Sequence, residues 1–104
     1  MAKYLFVYHG GVAPQDPAEI EATMQAWGSW FGAMGGAVVD GGNPVGLSTT
    51  VGSDGSISEG GGSNPASGYS VIEASSVENA CEMARGCPLL ASGGSVEVAE
   101  VIEM

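Results

Sequence analysis

The residue best suited to proton chemistry is His9, because it is the only histidine and it ends the strand-like segment KYLFVYH. Histidine titrates near neutral pH and can donate or accept a proton. A second candidate is Asp40, which ends a shorter strand-like segment, VVD. A carboxylate beside an imidazole orients the ring and stabilises its charged form. The two residues therefore predict acid–base catalysis, with His9 as the general acid or base and Asp40 as its partner.

Each of these residues also has a purely structural interpretation. His9 can be a polar residue at a strand end whose ring bonds a loop carbonyl. The segment from Asp40 to Pro44 has the composition of a turn, because Asp and Asn side chains bond nearby backbone groups. Candidate ligand-binding residues at the same edge are Tyr8, Trp30, Asn43, Tyr69 and Ser70.

The elements that must position these residues begin with a strand over residues 4–8, which is apolar on both faces. Asp16-Pro17 then starts a helix, because Asp caps the first amides and Pro fits the first turn. The helix ends at Gly35-Gly36. Its predicted buried stripe recurs at helical spacing and comprises Ile20, Met24, Trp27 and Phe31. Core filling is favoured for Trp27, whereas Trp30 falls off this stripe, so that the choice between core and pocket stays open for it.

A short strand over 37–40 is followed by a glycine-rich segment, residues 41–68, that contains no lysine or arginine. Within it, residues 47–51 and 56–58 predict a hairpin around Asp54-Gly55. A disordered linker is the alternative. The chain then predicts a strand over 69–74, a helix capped by Ser75 or Ser76 and ended by Gly86, and a last strand over 96–102.

This order of elements predicts an α+β, ferredoxin-like β-α-β-β-α-β domain over residues 1–104, with one antiparallel sheet. Right-handed crossovers place its four strands in the order 4-1-3-2. Two helices cover only one face of such a sheet, but the first strand is apolar on both. We therefore expect a homodimer whose sheets pack face to face. His9 and Asp40 would then end at one sheet edge, two strand spacings or about 9–10 Å apart.

Composition limits the partners. Twelve acidic residues against Lys3 and Arg85 give a net charge of -10, which disfavours nucleic acid and anionic membranes.

The chain has no run of eighteen apolar residues and no signal-peptide pattern, so we expect a cytoplasmic protein of bacterial type. One histidine and two cysteines, Cys81 and Cys87, fit no zinc spacing. We expect no metal and no cofactor, two small buried thiols, and solvated carboxylates along the last strand at Glu97, Glu100 and Glu103.

Five ordered segments together resemble the YCII-related (DGPF-type) proteins of the dimeric α+β barrel superfamily: KYLFVYHGG, VVDGGNPVG, SDGSISEGGG, GYSVIEA and GGSVEVAEVIEM. Asp54, Gly55 and Glu59 match that family's middle motif. Ser56-Ile57 stand where Pro-Phe is usual and Gly61 stands where a lysine is usual. Leu89 occupies a position that often carries a histidine in similar members.

The resemblance implies a fold similar to that of muconolactone isomerase and a histidine–aspartate active site in parts of the family. The first hypothesis is therefore an isomerase- or lyase-like proton transfer on a small organic molecule at His9 and Asp40. The alternatives are a non-catalytic module that binds a small molecule at the same edge, and an interaction module that docks a partner through its glycine-rich segment.

Overall fold

The computed structural model describes all 104 residues. Four strands form one antiparallel sheet: β1 (Ala2–His9), β2 (Val38–Asp40), β5 (Ala66–Ala74) and β6 (Ser95–Glu100). Their spatial order is β2-β5-β1-β6, which is the predicted order 4-1-3-2 counted from the other edge. Two helices, α1 (Pro17–Met34) and α2 (Val77–Ala84), complete an α+β arrangement that is compatible with a ferredoxin-like fold. Neither helix combines the length and apolar character that crossing a bilayer requires.

The helices begin where their capping residues predict. Asp16 accepts a hydrogen bond from the Glu19 amide at 2.8 Å, and Pro17 occupies the first turn of α1. Ser76 accepts from the Asn79 amide at 3.1 Å at the start of α2. Short 3-10 segments follow α1 at Gly35–Ala37 and follow α2 at Pro88–Ser92. The start of each helix is thus set by a local side-chain cap.

The core lies between the helices and one face of the sheet, which we call the helix face. Tyr4, Phe6 and Tyr8 of β1 are buried there, together with Ile72 of β5. Trp30 of α1 stacks near Phe6, with 6.3 Å between ring centroids, and donates its indole N–H to the Met83 carbonyl at 2.9 Å. A tryptophan in an interior needs such a partner for its N–H group.

The predicted stripe of α1 is wrong in its rotation. Ile20 and Met24 are exposed, Met24 by 70%. Trp27 and Phe31 are half-buried, and Trp30 is the buried residue of this helix at 8%. The helical spacing was correct, but residues three apart differ by only about 60° around a helix, so a stripe through Trp30 lies close to the predicted one. Packing against Phe6 and Met83 selects the stripe that contains Trp30.

The second helix also departs from its predicted apolar face. Ala80 and Ala84 are buried, whereas Val77 and Cys81 are exposed. Cys87 alone of the two free cysteines is a small buried thiol, and burial raises its pKa. The prediction for Cys81 was therefore wrong.

The glycine-rich segment forms the predicted hairpin. Strands β3 (Thr49–Val51) and β4 (Ile57–Glu59) pair only with each other, in a separate two-stranded sheet. Asp54 stabilises the turn by accepting hydrogen bonds from the Ser56 amide at 3.0 Å and the Ser56 hydroxyl at 2.7 Å. All six strand residues are exposed, including the facing pair Val51 and Ile57.

The second face of the main sheet, which we call the open face, carries the side chains that alternate with the core residues. Register places Leu5 and Val7 of β1 there, beside Val71 of β5 and Ala99 of β6. No helix covers this face. The molecule is accordingly flat, with extents of 43 × 42 × 19 Å.

Candidate functional site

The side chain of His9 lies on the open face and is held by two acceptors. Its Nε2 atom is 2.8 Å from Oε1 of Glu97, and its Nδ1 atom is 3.2 Å from the carbonyl oxygen of Pro65. A neutral imidazole has one N–H donor, whereas the charged imidazolium has two. The geometry therefore favours the charged ring, which satisfies both acceptors.

The electrostatics of this pair agree with its geometry. The hydrogen bond to Glu97 raises the pKa of His9 above its ordinary value, and the Pro65 carbonyl adds to this while partial burial opposes it. The carboxylate of Glu97 is itself 65% exposed. The pairing with Glu97 thus stabilises the protonated form of His9 relative to the neutral form.

Asp40 does not lie against His9. Its Oδ1 atom accepts a hydrogen bond from the Gly42 amide at 2.8 Å, which makes Asp40 the turn residue of the alternative interpretation. The sheet register explains the separation, since Asp40 pairs with Val71 at the level of Leu5, four residues before His9 on β1. The expectation that both residues end at the same edge was wrong because β2 pairs further along β5 than we assumed.

The sequence did not identify Glu97 as the partner of His9. It assigned Glu97 to the solvated carboxylates of the last strand. The signal was present in the predicted strand order, which makes the last strand a direct neighbour of the first. Val7 faces Glu97 and His9 faces Ser95 across β1 and β6. His9 and Glu97 are therefore diagonal neighbours on one face, within reach of long side chains. Asp40 is two strands away, so Glu97 was the nearer carboxylate.

A groove of about 1420 Å³ opens on the helix face, where the end of the sheet meets α1 and three loops. The loops follow β1, β2 and α2. Gly42 illustrates how tightly the second of these loops packs: its φ is +70°, and a Cβ atom there would sit 1.7 Å from the carbonyl oxygen of Tyr69. Only glycine fits such a position. The loop backbone can therefore approach β5 and form one side of the groove.

Four aromatic residues form one wall of the groove, which we call the aromatic wall: Tyr8, Trp27, Trp30 and Phe31. Trp27 contacts the other three rings, as Trp30 does. The Trp27 centroid lies 5.1 Å from that of Tyr8, 5.6 Å from that of Trp30 and 5.9 Å from that of Phe31. Edge-to-face and tilted pairs at such distances are favourable.

The ring of Tyr8 is fixed by a buried chain of hydrogen bonds. Ser70 donates its hydroxyl proton to the Gly41 carbonyl at 2.7 Å, so the Tyr8 hydroxyl, 2.7 Å away, donates to Ser70. Burial raises the pKa of Tyr8 to about 12. Tyr8 therefore stays protonated at neutral pH and contributes a neutral phenol to the wall.

The predicted ligand-binding residues divide between this groove and the core beneath it. Tyr8, Trp30, Asn43 and Tyr69 line the groove. Ser70 is fully buried under Tyr8 and acts by positioning it. Trp27 lines the groove although the sequence assigned it to the core. His9 does not line it, so the two predicted halves of one site occupy different faces of the sheet.

The groove carries no formal charge. None of its 26 lining residues is Asp, Glu, Lys, Arg or His, although the chain contains twelve acids, two cations and one histidine. Neither there nor elsewhere do three His, Cys, Asp or Glu side chains converge as a metal site would require.

No family model, no curated protein and no solved structure matches this chain. The resemblance to the YCII-related family therefore stays a prediction, and function must be inferred from the geometry.

Proposed function

We propose that this protein binds a small organic molecule in the groove on the helix face. The observation that carries the proposal is the groove itself, a concave site of about 1420 Å³ with an aromatic wall. Binding sites for small molecules are concave and mostly apolar, with typical volumes of about 300–1,000 Å³. The groove has room for such a ligand, and it gathers four of the five residues that the sequence nominated.

The residues around the groove support binding rather than catalysis. Tyr8 is its only deeply buried titratable group, and its pKa of about 12 keeps the proton in place at neutral pH. General acid–base catalysis works best when the group's pKa lies near the working pH. His9 is a better acid, but it lies on the other face of the sheet. A groove without a matched acid or base favours the non-catalytic alternative.

The proposal is tested by protein-observed NMR with a library of small organic fragments. We expect bound fragments to shift the indole signals of Trp27 and Trp30 and the amide signals of Gly42 and Gly68. Ala22 is exposed on α1 and lines the groove, so Ala22→Trp should fill part of it and weaken binding. Ala18→Trp is the matched control, because Ala18 lies on the same helix outside the groove. Fragments that bind both variants equally would place the site elsewhere.

We also propose that the chain works as a homodimer whose open faces pack together, as in a dimeric α+β barrel of the YCII-related kind. The support is the unusually large surface of 6752 Å². A compact monomer of 10.3 kDa exposes roughly 5,400 Å². Leu5, Val7 and Val71 supply apolar area on the uncovered face.

A second candidate function is proton transfer by His9, in an isomerase- or lyase-like reaction. The pairing with Glu97 favours it, because a hydrogen bond of 2.8 Å to the carboxylate raises the pKa of a histidine that is shielded from solvent. The test is exchange of the α-protons of small ketones in D₂O, followed by NMR. Catalysis that disappears in His9→Gln and persists in Asp40→Asn would support this function. Equal exchange in all three proteins would exclude it for these substrates.

A further inference from the structure

The chemistry of the groove restricts what it can hold. We propose that its ligand is a flat, uncharged aromatic compound that carries a neutral hydrogen-bonding group such as an amide, a hydroxyl or a carbonyl. This inference rests on the proposed binding function and adds the ligand class. Its support comes from the charge, the ring geometry and the polar groups of the groove.

Charge excludes anions most strongly. The lining has no cation to pair with an anion, and the two cations of the chain are placed elsewhere, with the Arg85 guanidinium 3.5 Å from Glu82. The net charge of -10 also repels an anion from a distance. An anionic ligand would lose its hydration in the groove without gaining a partner.

Cations are disfavoured for a different reason. The net negative charge attracts them, and tryptophan faces can bind them when several rings surround the ion. The aromatic wall does not form such a cage, because its rings pack against one another at centroid distances of 5.1 to 6.4 Å. These separations leave no space between the rings for an ion. No carboxylate lines the groove to complete the neutralisation.

The wall instead offers half-buried ring surface to a flat partner. Tyr8 and Trp30 are buried, whereas Trp27 and Phe31 are half-buried. A planar ligand can stack on or abut Trp27 and gain the extra attraction of an aromatic pair. A saturated ligand of the same size gains only the burial of apolar surface.

The neutral hydrogen-bonding group would meet the polar side of the groove. Asn43 lines it, and its exposed side-chain amide makes no hydrogen bond within the chain. A Cβ atom on Gly68 would lie 3.2 Å from the backbone carbonyl oxygen of Asn43 and 3.3 Å from Cδ2 of Tyr8. Gly68 thus brings the polar side and the aromatic wall close together. A primary amide both donates and accepts, so it suits ligands with either kind of neutral group.

Four probes of equal size separate these elements: 2-naphthamide, the anion 2-naphthoate, protonated 2-naphthylmethylamine, and saturated decahydronaphthalene-2-carboxamide. Affinity is measured by NMR titration of the two indole N–H signals. We expect 2-naphthamide to bind at least about tenfold more tightly than either charged probe. It should bind about threefold to tenfold more tightly than the saturated amide. Asn43→Ala should weaken the binding of 2-naphthamide more than it weakens the binding of unsubstituted naphthalene.

A charge placed in the groove gives the converse test. Ala22→Lys should increase the affinity for 2-naphthoate, whereas Ala18→Lys on the same helix should not. Binding of a charged probe, or of the saturated amide, as tightly as 2-naphthamide by the unmodified protein would overturn the ligand class and leave the binding function intact. Failure of all four probes to shift the indole signals, together with a failed fragment screen, would overturn both.

Discussion

The two faces of the main sheet differ in how far the chain covers the side chains of its strands. On the helix face, Phe6 and Ile72 are fully buried within the chain, and the polar groups of Tyr8, Ser70 and Trp30 have partners inside it. On the open face, Leu5 and Val7 lie on an apolar surface that no part of the chain covers. The same strand, β1, supplies both sets by simple alternation.

On the helix face the chain covers its own apolar side chains, whereas on the open face it leaves Leu5 and Val7 without such a cover. The groove on the helix face has no ionic residue in its lining. The open face carries the His9–Glu97 ion pair at its border. The uncharged groove and the ion pair therefore lie on opposite sides of one sheet.

The largest effect should come from truncating the core on the helix face. Phe6→Ala should lower the free energy of unfolding by about 3–5 kcal/mol, because it removes a fully buried ring and leaves a cavity. The matched change on the open face is Val7→Ala. At protein concentrations too low for association it should cost less than about 1 kcal/mol, since Val7 is only half-buried. Equal losses in urea unfolding would remove the distinction between the faces.

The next effect concerns assembly. Light scattering of the unmodified protein should give twice the chain mass of 10.3 kDa. Val7→Lys should weaken the dimer by at least about 100-fold, because it places a charge within the apolar contact. Val77→Lys, at an exposed position on α2, should leave the mass unchanged. A monomeric unmodified protein at micromolar concentration would contradict the face-to-face contact.

These two predictions depend on features that the sequence already contained. The strand order follows from element order and right-handed crossovers, and the helix starts follow from Asp16 and Ser76. The alternation of side chains between the two faces of β1 could also be predicted from the sequence. The rotation of α1 about its axis could not be predicted, because Trp27 and Trp30 both fit an apolar stripe and only tertiary packing distinguishes them.

The candidate site was less predictable than the fold. The sequence placed Tyr8, Asn43 and Tyr69 near one edge, and the structure puts them around one groove. It also paired His9 with Asp40, because strand ends were assumed to be level. The pairing of β2 with β5 sets Asp40 at the level of Leu5 and includes a register shift between Val38 and Asp40, neither of which periodicity reveals.

A smaller effect should distinguish the two tyrosines of the helix face. Tyr8→Phe removes the proton that the phenol donates to Ser70, and it should cost about 1 kcal/mol of stability. Tyr4→Phe is the control, because the Tyr4 hydroxyl makes no side-chain hydrogen bond and is not left buried without a partner. Urea unfolding midpoints measure both. Similar losses in the two variants would show that the chain from Tyr8 to Gly41 contributes little.

The smallest effect belongs to the ion pair on the open face. The hydrogen bond to Glu97 raises the pKa of His9, so the ring binds a proton more tightly in the folded than in the unfolded protein. The stability that this pair contributes is therefore complete below the ordinary histidine pKa of about 6.5. It is lost as the pH rises through the higher folded value. His9→Gln should flatten this part of the pH dependence of unfolding.

Two single substitutions then decide which carboxylate His9 senses. With one histidine in the chain, the ring signals in an NMR titration report His9 directly. Glu97→Gln should lower its pKa, because the charged acceptor 2.8 Å away becomes neutral. Asp40→Asn should leave the titration unchanged, since the Asp40 carboxylate is engaged by the Gly42 amide. The opposite pattern would restore the pairing of His9 with Asp40 and bring proton transfer by those two residues back ahead of binding as the function of this sheet edge.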